Sequence, residues 1–177
     1  MRHIRESSTA GTSLRPTIES SRAEREMPTE SSTLLNAVLA DEYVVYVRTL
    51  NFHWNVRGMQ FHSLHDFFEM LYGEQFKRID DLAERVRTLG ANALGTMADF
   101  LKHSRLQEQV GEPPDPCGMI SSLCEGHETL IRHLHEVIRT LDSKYDDPGT
   151  VNFLTDMLQE HEKTLWMLRV HLDRELG

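Results

Sequence analysis

Four long stretches of this sequence carry apolar residues at intervals of three and four, the spacing of one buried helix face. The polar residues Glu42 in the first stretch and Gln75 in the second share these faces. We find no alternating strand pattern and no internal repeat. The stretches predict helices over about residues 29–57, 61–89, 116–143 and 148–175. We therefore predict an all-α fold in which four long helices form a four-helix bundle.

Two of the predicted helices have marked starts. Asp115-Pro116 and Asp147-Pro148 each offer an N-cap side chain followed by proline at the first helical position. The connection between the second and third long helices, residues 91–114, is long enough to cross the length of the bundle. Within it, the run TMADFLKHS predicts a short extra helix.

The remaining sequence features indicate one domain with a tail. Residues 1–28 are polar and lack a hydrophobic period, so we predict a flexible tail there and a bundle over residues 29–177. No apolar run approaches the roughly 18 residues of a membrane span, and no secretory signal is present. We therefore expect a cytoplasmic protein without a membrane partner. Cys117 and Cys124 would lie about 10 Å apart along one helix, too far for a disulfide.

The second helix carries histidine and carboxylate side chains at regular spacing. His65 and Glu69 are four residues apart, as are Asp80 and Glu84, and all four fall within about a quarter-turn of the helix. Each pair could bind a metal ion, because imidazole and carboxylate groups suit iron, zinc or manganese. His53, on the buried face of the first helix, could complete such a site.

The two pairs cannot bind the same ion within one chain. Glu69 and Asp80 are separated by about 16 Å of helix, whereas metal–ligand bonds are only about 2 Å long. Either there are two separate sites, or two chains cross antiparallel about a twofold axis and share two equivalent sites. A di-iron site inside one bundle would typically use Glu-x-x-His motifs, and no glutamate here has a histidine three residues later.

Simpler interpretations exist for each residue taken alone. A histidine on an apolar face is usually a satisfied core residue. Asp80 and Glu84 could be a solvated pair balanced by nearby arginines such as Arg78 or Arg85. A plain helical interaction bundle with surface histidines is therefore one alternative, and only the joint spacing of the five residues argues against it.

The same residues carry a resemblance to a known family. The run HWNVRG, followed by LHDFFE and DDLAERVRTLG, closely resembles the Dps mini-ferritins, the DNA-binding proteins from starved cells, over about residues 30–175. The family pattern is a histidine before tryptophan, a histidine twelve residues on, then acids at intervals of four, eleven and four. The first acid of this pattern is often aspartate in the family, whereas here it is Glu69. The matching residues are His53, His65, Glu69, Asp80 and Glu84.

The resemblance implies the ferritin-like bundle and an iron-oxidising enzyme. It implies a hollow dodecamer with two-iron ferroxidase sites at its twofold interfaces. Trp54 would lie beside the ligands of each site without binding the metal itself. Fe(II) would be oxidised there, preferably by hydrogen peroxide, and stored as a ferric mineral, which protects against oxidative damage. Zinc could occupy the site on isolation. The family also implies an iron-entry pore at Asp147, Asn152 and Asp156, where Asn152 replaces a common acid.

Binding to DNA is the alternative function that the family suggests. The chain has a net charge of −9, and residues 1–30 contain five arginines, five glutamates and no lysine. Because phosphate binding needs clustered positive charge, we predict weak or absent DNA binding. A nucleoid-associated, DNA-protecting protein with an incidental metal site is the second hypothesis.

The other histidines have no ligand partners at matching spacing. We expect His62 to be a surface residue at the start of its helix. We expect the following to be surface or interhelix residues: His127, His133, His135, His161 and His171.

Overall fold

The computed structural model describes residues 18–172, with side chains from residue 30 onward. Over this range the chain forms five helices and no strand, which confirms the all-α prediction. None of these helices is both long and apolar enough to cross a bilayer. The helices are α1 (Ile18–Asn55), α2 (Phe61–Thr88), α3 (Met97–His103), α4 (Pro116–Tyr145) and α5 (Pro148–Leu172).

The capping side chains fix the helix starts as the sequence predicts. The Asp115 carboxylate accepts a hydrogen bond from the Gly118 amide at 2.8 Å, and Asp147 accepts one from the Thr150 amide at 3.0 Å. Thr96 caps α3, which is the predicted short extra helix.

The first helix extends further than predicted. α1 begins at Ile18 rather than near residue 29. Residues 18–28 carry no hydrophobic period, and that period is the main signal of a helix in a sequence. The rest of the predicted tail, residues 1–17, lies outside the described residues, as do residues 173–175 of the last predicted helix. The domain boundary at residue 28 stays a prediction.

The four long helices pack as a bundle with α3 against one side. α1 packs mainly on α2 and α4, α4 packs on α5, and α3 lies on α1. Asp41, fully buried on α1, accepts hydrogen bonds from the Ser104 hydroxyl at 2.7 Å, the Arg105 amide at 2.6 Å and His133 Nδ1 at 2.7 Å. This carboxylate therefore attaches the end of α3 and the long connection to the bundle.

The bundle core consists of two apolar halves with polar residues between them. Along α1, Glu42 lies between Leu39 of one half and Val45 of the other. On α2, Gln75 and Arg78 likewise lie between the two apolar halves. The fully buried polar residues Glu42, Gln75, His127 and His161 come from all four long helices.

Candidate metal centre

The two predicted histidine ligands lie side by side where α1 and α2 meet. The five residues between these helices, 56–60, fold α2 back along α1, and Gly58 adopts a φ of +103° that favours glycine. This reversal brings His53, near the end of α1, against His65, in the second turn of α2. Their rings stack with centroids 3.9 Å apart and planes 22° from parallel.

Hydrogen bonds to the backbone fix the tautomer of both rings. His53 Nδ1 donates to the His65 carbonyl at 2.9 Å, and His65 Nδ1 donates to the His53 carbonyl at 3.0 Å. Because a carbonyl only accepts, each Nδ1 carries the proton and each Nε2 keeps its lone pair. Metal-binding histidines commonly have this arrangement, in which the second nitrogen is held by a carbonyl or carboxylate.

Aromatic neighbours hold the two rings in place. Phe61 stacks on His65 with centroids 5.0 Å apart, and Tyr72 meets His53 edge-on at 5.1 Å. His53 is only 8% exposed, whereas His65 is half-buried. A ligand pair whose orientation is fixed by packing and hydrogen bonds loses little freedom when it binds an ion.

The three predicted carboxylate ligands are exposed and free of cations. Glu69, Asp80 and Glu84 have no hydrogen-bond or ion-pair partner among the described residues. The arginines that could have neutralised them bind elsewhere: Arg78 pairs with Glu160, Arg85 with Asp147 and Thr150, and Arg87 with Ala91 and Asn92. The interpretation of Asp80 and Glu84 as an arginine-balanced surface pair is therefore not supported.

A single chain does not gather the whole set. Among the side chains from residue 30 to residue 172, no three His, Cys, Asp or Glu residues lie close enough to hold a metal ion. The structure brings His53 and His65 together and places Glu69 one turn beyond His65 on α2. Asp80 and Glu84 lie three to four turns further along that helix. Assembly of all five residues between two chains stays a prediction.

Large apolar side chains are exposed around this part of the molecule. Trp54, next to His53, is 69% exposed, Phe76 is 60% exposed and Met97 is 48% exposed. Trp54 and Met97 also line a mainly apolar pocket of about 320 Å³ between α1, α3 and the connection that follows α3. Exposed apolar surface of this kind is typical of protein–protein contact.

Comparison with known proteins identifies the family. The ferritin-like domain matches residues 32–176. An uncharacterised low temperature-induced protein of Nostoc is 43% identical over 140 residues, covering 79% of this chain and 78% of that protein. The DNA protection during starvation protein 2 of Bacillus anthracis is 35% identical over 142 residues, covering 80% and 95%. The chain belongs to the ferritin-like Dps family.

The structural comparison agrees with this assignment. The crystal structure of a Dps protein from Vibrio cholerae, described as a member of the ferritin-like diiron-carboxylate superfamily, matches with a TM-score of 0.80. The two proteins are 30% identical, and the match covers 84% of this chain and 92% of that one. The predicted ferritin-like four-helix bundle is confirmed.

His62 differs from the two histidines of the candidate site. It is exposed, and its Nδ1 lies 3.5 Å from a carboxylate oxygen of Asp66, one turn along α2. It therefore makes a local contact on the helix surface, as its position at the helix start suggests.

The family's pore positions lie in the first turns of α5. The carboxylate of Asp147 is already engaged at the start of α5. It accepts hydrogen bonds from the Thr150 amide and from Arg85 Nη2, the latter at 3.3 Å. Burial raises the pKa of Asp147, but the Thr150 hydrogen bonds and Arg85 outweigh it and hold that pKa below its usual value. Asn152 and Asp156 are exposed. The pore in this Dps protein stays a prediction.

The remaining histidines divide into the two predicted classes, interhelix and surface residues. His127, His133 and His161 are fully buried between helices, whereas His135 and His171 are exposed. Sequence reasoning missed their partners because these lie on other helices, far away in sequence: Asp41 for His133, Glu42 for His161 and His161 for His127. The available signal was the presence of Glu42 on the apolar face of α1, since a buried carboxylate requires a partner.

Proposed function

We propose that this Dps protein is a ferroxidase that oxidises Fe(II) and stores the ferric product inside a hollow dodecamer. Each site would use His53, His65 and Glu69 of one subunit with Asp80 and Glu84 of another. The observation that carries this proposal is the stacked histidine pair, whose Nε2 lone pairs are both left free by the bonds at Nδ1.

The distances along α2 support a site shared between two chains. Asp80 lies about 16 Å of helix beyond Glu69, so one ion cannot reach both on the same chain. An antiparallel crossing of two α2 helices about a twofold axis would place the acids of each chain opposite the histidines of the other. The exposed Trp54, Phe76 and Met97 supply apolar surface that such a contact would bury.

The ligand types suit the oxidation of iron as a substrate. Carboxylate oxygens are hard ligands that stabilise Fe(III) relative to Fe(II). Five protein ligands shared by two ions leave coordination positions for the oxidant. Hydrogen peroxide would take one electron from each ion, so that two Fe(II), one peroxide and two protons give two Fe(III) and two waters. Paired transfer of this kind releases no hydroxyl radical.

A matched pair of double variants tests the proposal. Apo-protein is mixed with Fe(II) without oxygen, peroxide is added, and ferric absorbance is followed. We expect His53→Ala/Asp80→Ala to slow oxidation at least tenfold, because each change removes a ligand. His62→Ala/Asp66→Ala, which removes an exposed contact on the same helix, should oxidise iron at the wild-type rate. Equal rates in the first variant and the wild type would disprove the assigned site.

Charge does not favour DNA binding as the main activity. The chain carries a net charge of −9, and the arginines and glutamates of residues 1–30 balance each other. Electrostatic binding to DNA depends on counterion release by clustered cations. We therefore expect no plasmid retention in a gel-shift assay at about 150 mM salt. Tight retention at that salt concentration would favour the DNA-protecting alternative.

A further inference from the structure

A second imidazole pair lies in the centre of the bundle, away from the candidate metal centre. His127 on α4 and His161 on α5 are both fully buried, and their Nδ1 atoms lie 2.9 Å apart. His161 Nε2 bonds the carboxylate of Glu42 on α1, which is also fully buried. The three side chains therefore link three helices through the core.

We call Glu42, His161 and His127 the core triad. The ionised carboxylate of Glu42 decides which nitrogen atoms in it donate and which accept. An ionised carboxylate only accepts, so His161 Nε2 carries a proton. In a neutral pair of rings, His161 then accepts at Nδ1, and His127 Nδ1 donates to it. The remaining nitrogen, His127 Nε2, is buried and has no hydrogen-bond partner among the described residues. It is the one lone pair of the two rings that stays open to a proton.

The charges that face His127 from the other helices oppose such a proton. The guanidinium groups of Arg48 on α1 and Arg78 on α2 act on it, and the ring of His161 on α5 contacts it. The Glu42 carboxylate already accepts a hydrogen bond from His161 and faces Arg78. Burial lowers the pKa of His127 well below its usual value, and His161, Arg78 and Arg48 lower it further. His127 therefore stays neutral in the folded protein.

We propose that the core triad is an acid-sensitive switch of bundle stability, in which a proton reaching His127 favours the separation of α4 and α5 from α1. The added charge would lie in a buried site beside two guanidinium groups. The nitrogen that would carry it has no hydrogen-bond partner within the described residues, whereas in the unfolded chain it would be solvated.

The sign of the pH effect follows from the neutral state of His127. In the unfolded chain a histidine binds a proton below about pH 6.5. The stability associated with neutral His127 is therefore fully present above that pH and is lost as the pH falls below it. Each pH unit below about 6.5 should raise the unfolding equilibrium constant by up to about tenfold. Glu42 acts in a separate window below about pH 4.5, because its pKa is lowered by His161 and Arg78 against the effect of burial.

The test compares denaturant unfolding of three full-length chains between about pH 7.5 and pH 5.5. His127→Asn keeps an N–H near the position of Nδ1 and removes the titrating ring. His135→Asn changes an exposed histidine on the same helix and is the matched control. We expect the unfolding constant of the wild type and of His135→Asn to rise about tenfold more than that of His127→Asn. Equal pH dependence in all three chains would overturn the proposal.

A second measurement covers the case in which His127→Asn does not fold. Calorimetric unfolding of the wild type at about pH 5.5, in two buffers of different ionisation enthalpy, gives the number of protons taken up. Alternatively, the histidine ring protons can be titrated by NMR. A ring that remains neutral to below about pH 5.5 supports the proposal, and titration of every histidine near pH 6.5 overturns it.

Discussion

Among the side chains that the structure describes, two pairs of histidines are in contact, and the two pairs use their nitrogen atoms in opposite ways. In the His53–His65 pair each Nδ1 donates to a backbone carbonyl, and both Nε2 lone pairs remain free. In the His127–His161 pair the Nδ1 atoms bond each other, and His161 Nε2 bonds a buried carboxylate. The first pair is open to a ligand, whereas in the second only His127 Nε2 is unpaired, and that nitrogen is buried.

The carboxylates assigned to each pair show the same difference. Glu69, Asp80 and Glu84 are exposed and have no cation partner within the described residues, so they remain available to a metal ion. Glu42 is fully buried and engaged by His161. The chemistry of a histidine–carboxylate set therefore depends on which atoms the fold has already used. Residue type and spacing alone do not decide it.

Removing one member of the His127–His161 pair should give the largest effect. His161→Ala would leave Glu42 as a buried carboxylate without its hydrogen-bond donor and would create a cavity. We expect a loss of about 3–5 kcal/mol in the free energy of unfolding. Denaturant unfolding at neutral pH measures this loss. Glu162→Ala, an exposed change on the same helix, is the control and should cost less than about 0.5 kcal/mol.

A subtler change in the core should have an intermediate effect. Glu42→Asp keeps the charge but withdraws the carboxylate by one methylene, so its bond to His161 is lost or lengthened. We expect a loss of about 1–3 kcal/mol in unfolding free energy, the usual cost of an unsatisfied buried group. Iron oxidation by the folded fraction should stay unchanged, because Glu42 lies away from the open pair. A loss of oxidation without a loss of stability would contradict the separation of the two regions.

Much of this comparison could be anticipated from the sequence. The three-and-four spacing placed Glu42 and Gln75 on buried faces, and both are fully buried. The joint spacing of His53, His65 and the carboxylates predicted ligand positions spread along α2 that one ion cannot bridge within one chain, and the structure brings only the two histidines into contact. The pairing of His127 with His161 could not be read in this way, because the two residues lie on different helices and periodicity carries no distance between helices. The reciprocal Nδ1 bonds depend on the path of the backbone between α1 and α2, which residue spacing does not encode.

Mixing two single variants would show whether His53 and His65 of one subunit form a site with Asp80 and Glu84 of another. His53→Ala and Asp80→Ala chains are unfolded together and refolded, and the oxidation rate is compared with that of each variant alone. In a mixed twofold pair, one site receives both substitutions and the other receives neither. Random pairing should therefore restore about a quarter of the wild-type sites. No recovery in chains shown to have mixed would contradict the shared site.

The smallest expected effect is at Glu69, and it sharpens the contrast with Glu42. Glu69→Asp makes the same chemical change as Glu42→Asp, but at an exposed carboxylate without a protein partner. The Dps pattern often has aspartate here, so we expect the oxidation rate to change by less than about threefold, or about 0.7 kcal/mol in activation free energy. Stability should change by less than about 0.5 kcal/mol, since no buried contact is lost. Parallel measurement of both variants therefore separates two uses of the same side chain. Glu42→Asp should lower stability without changing oxidation, and any effect of Glu69→Asp should appear in the oxidation rate and not in stability. A tenfold loss of oxidation in Glu69→Asp would mean that the two histidines require the longer side chain to complete the ligand set.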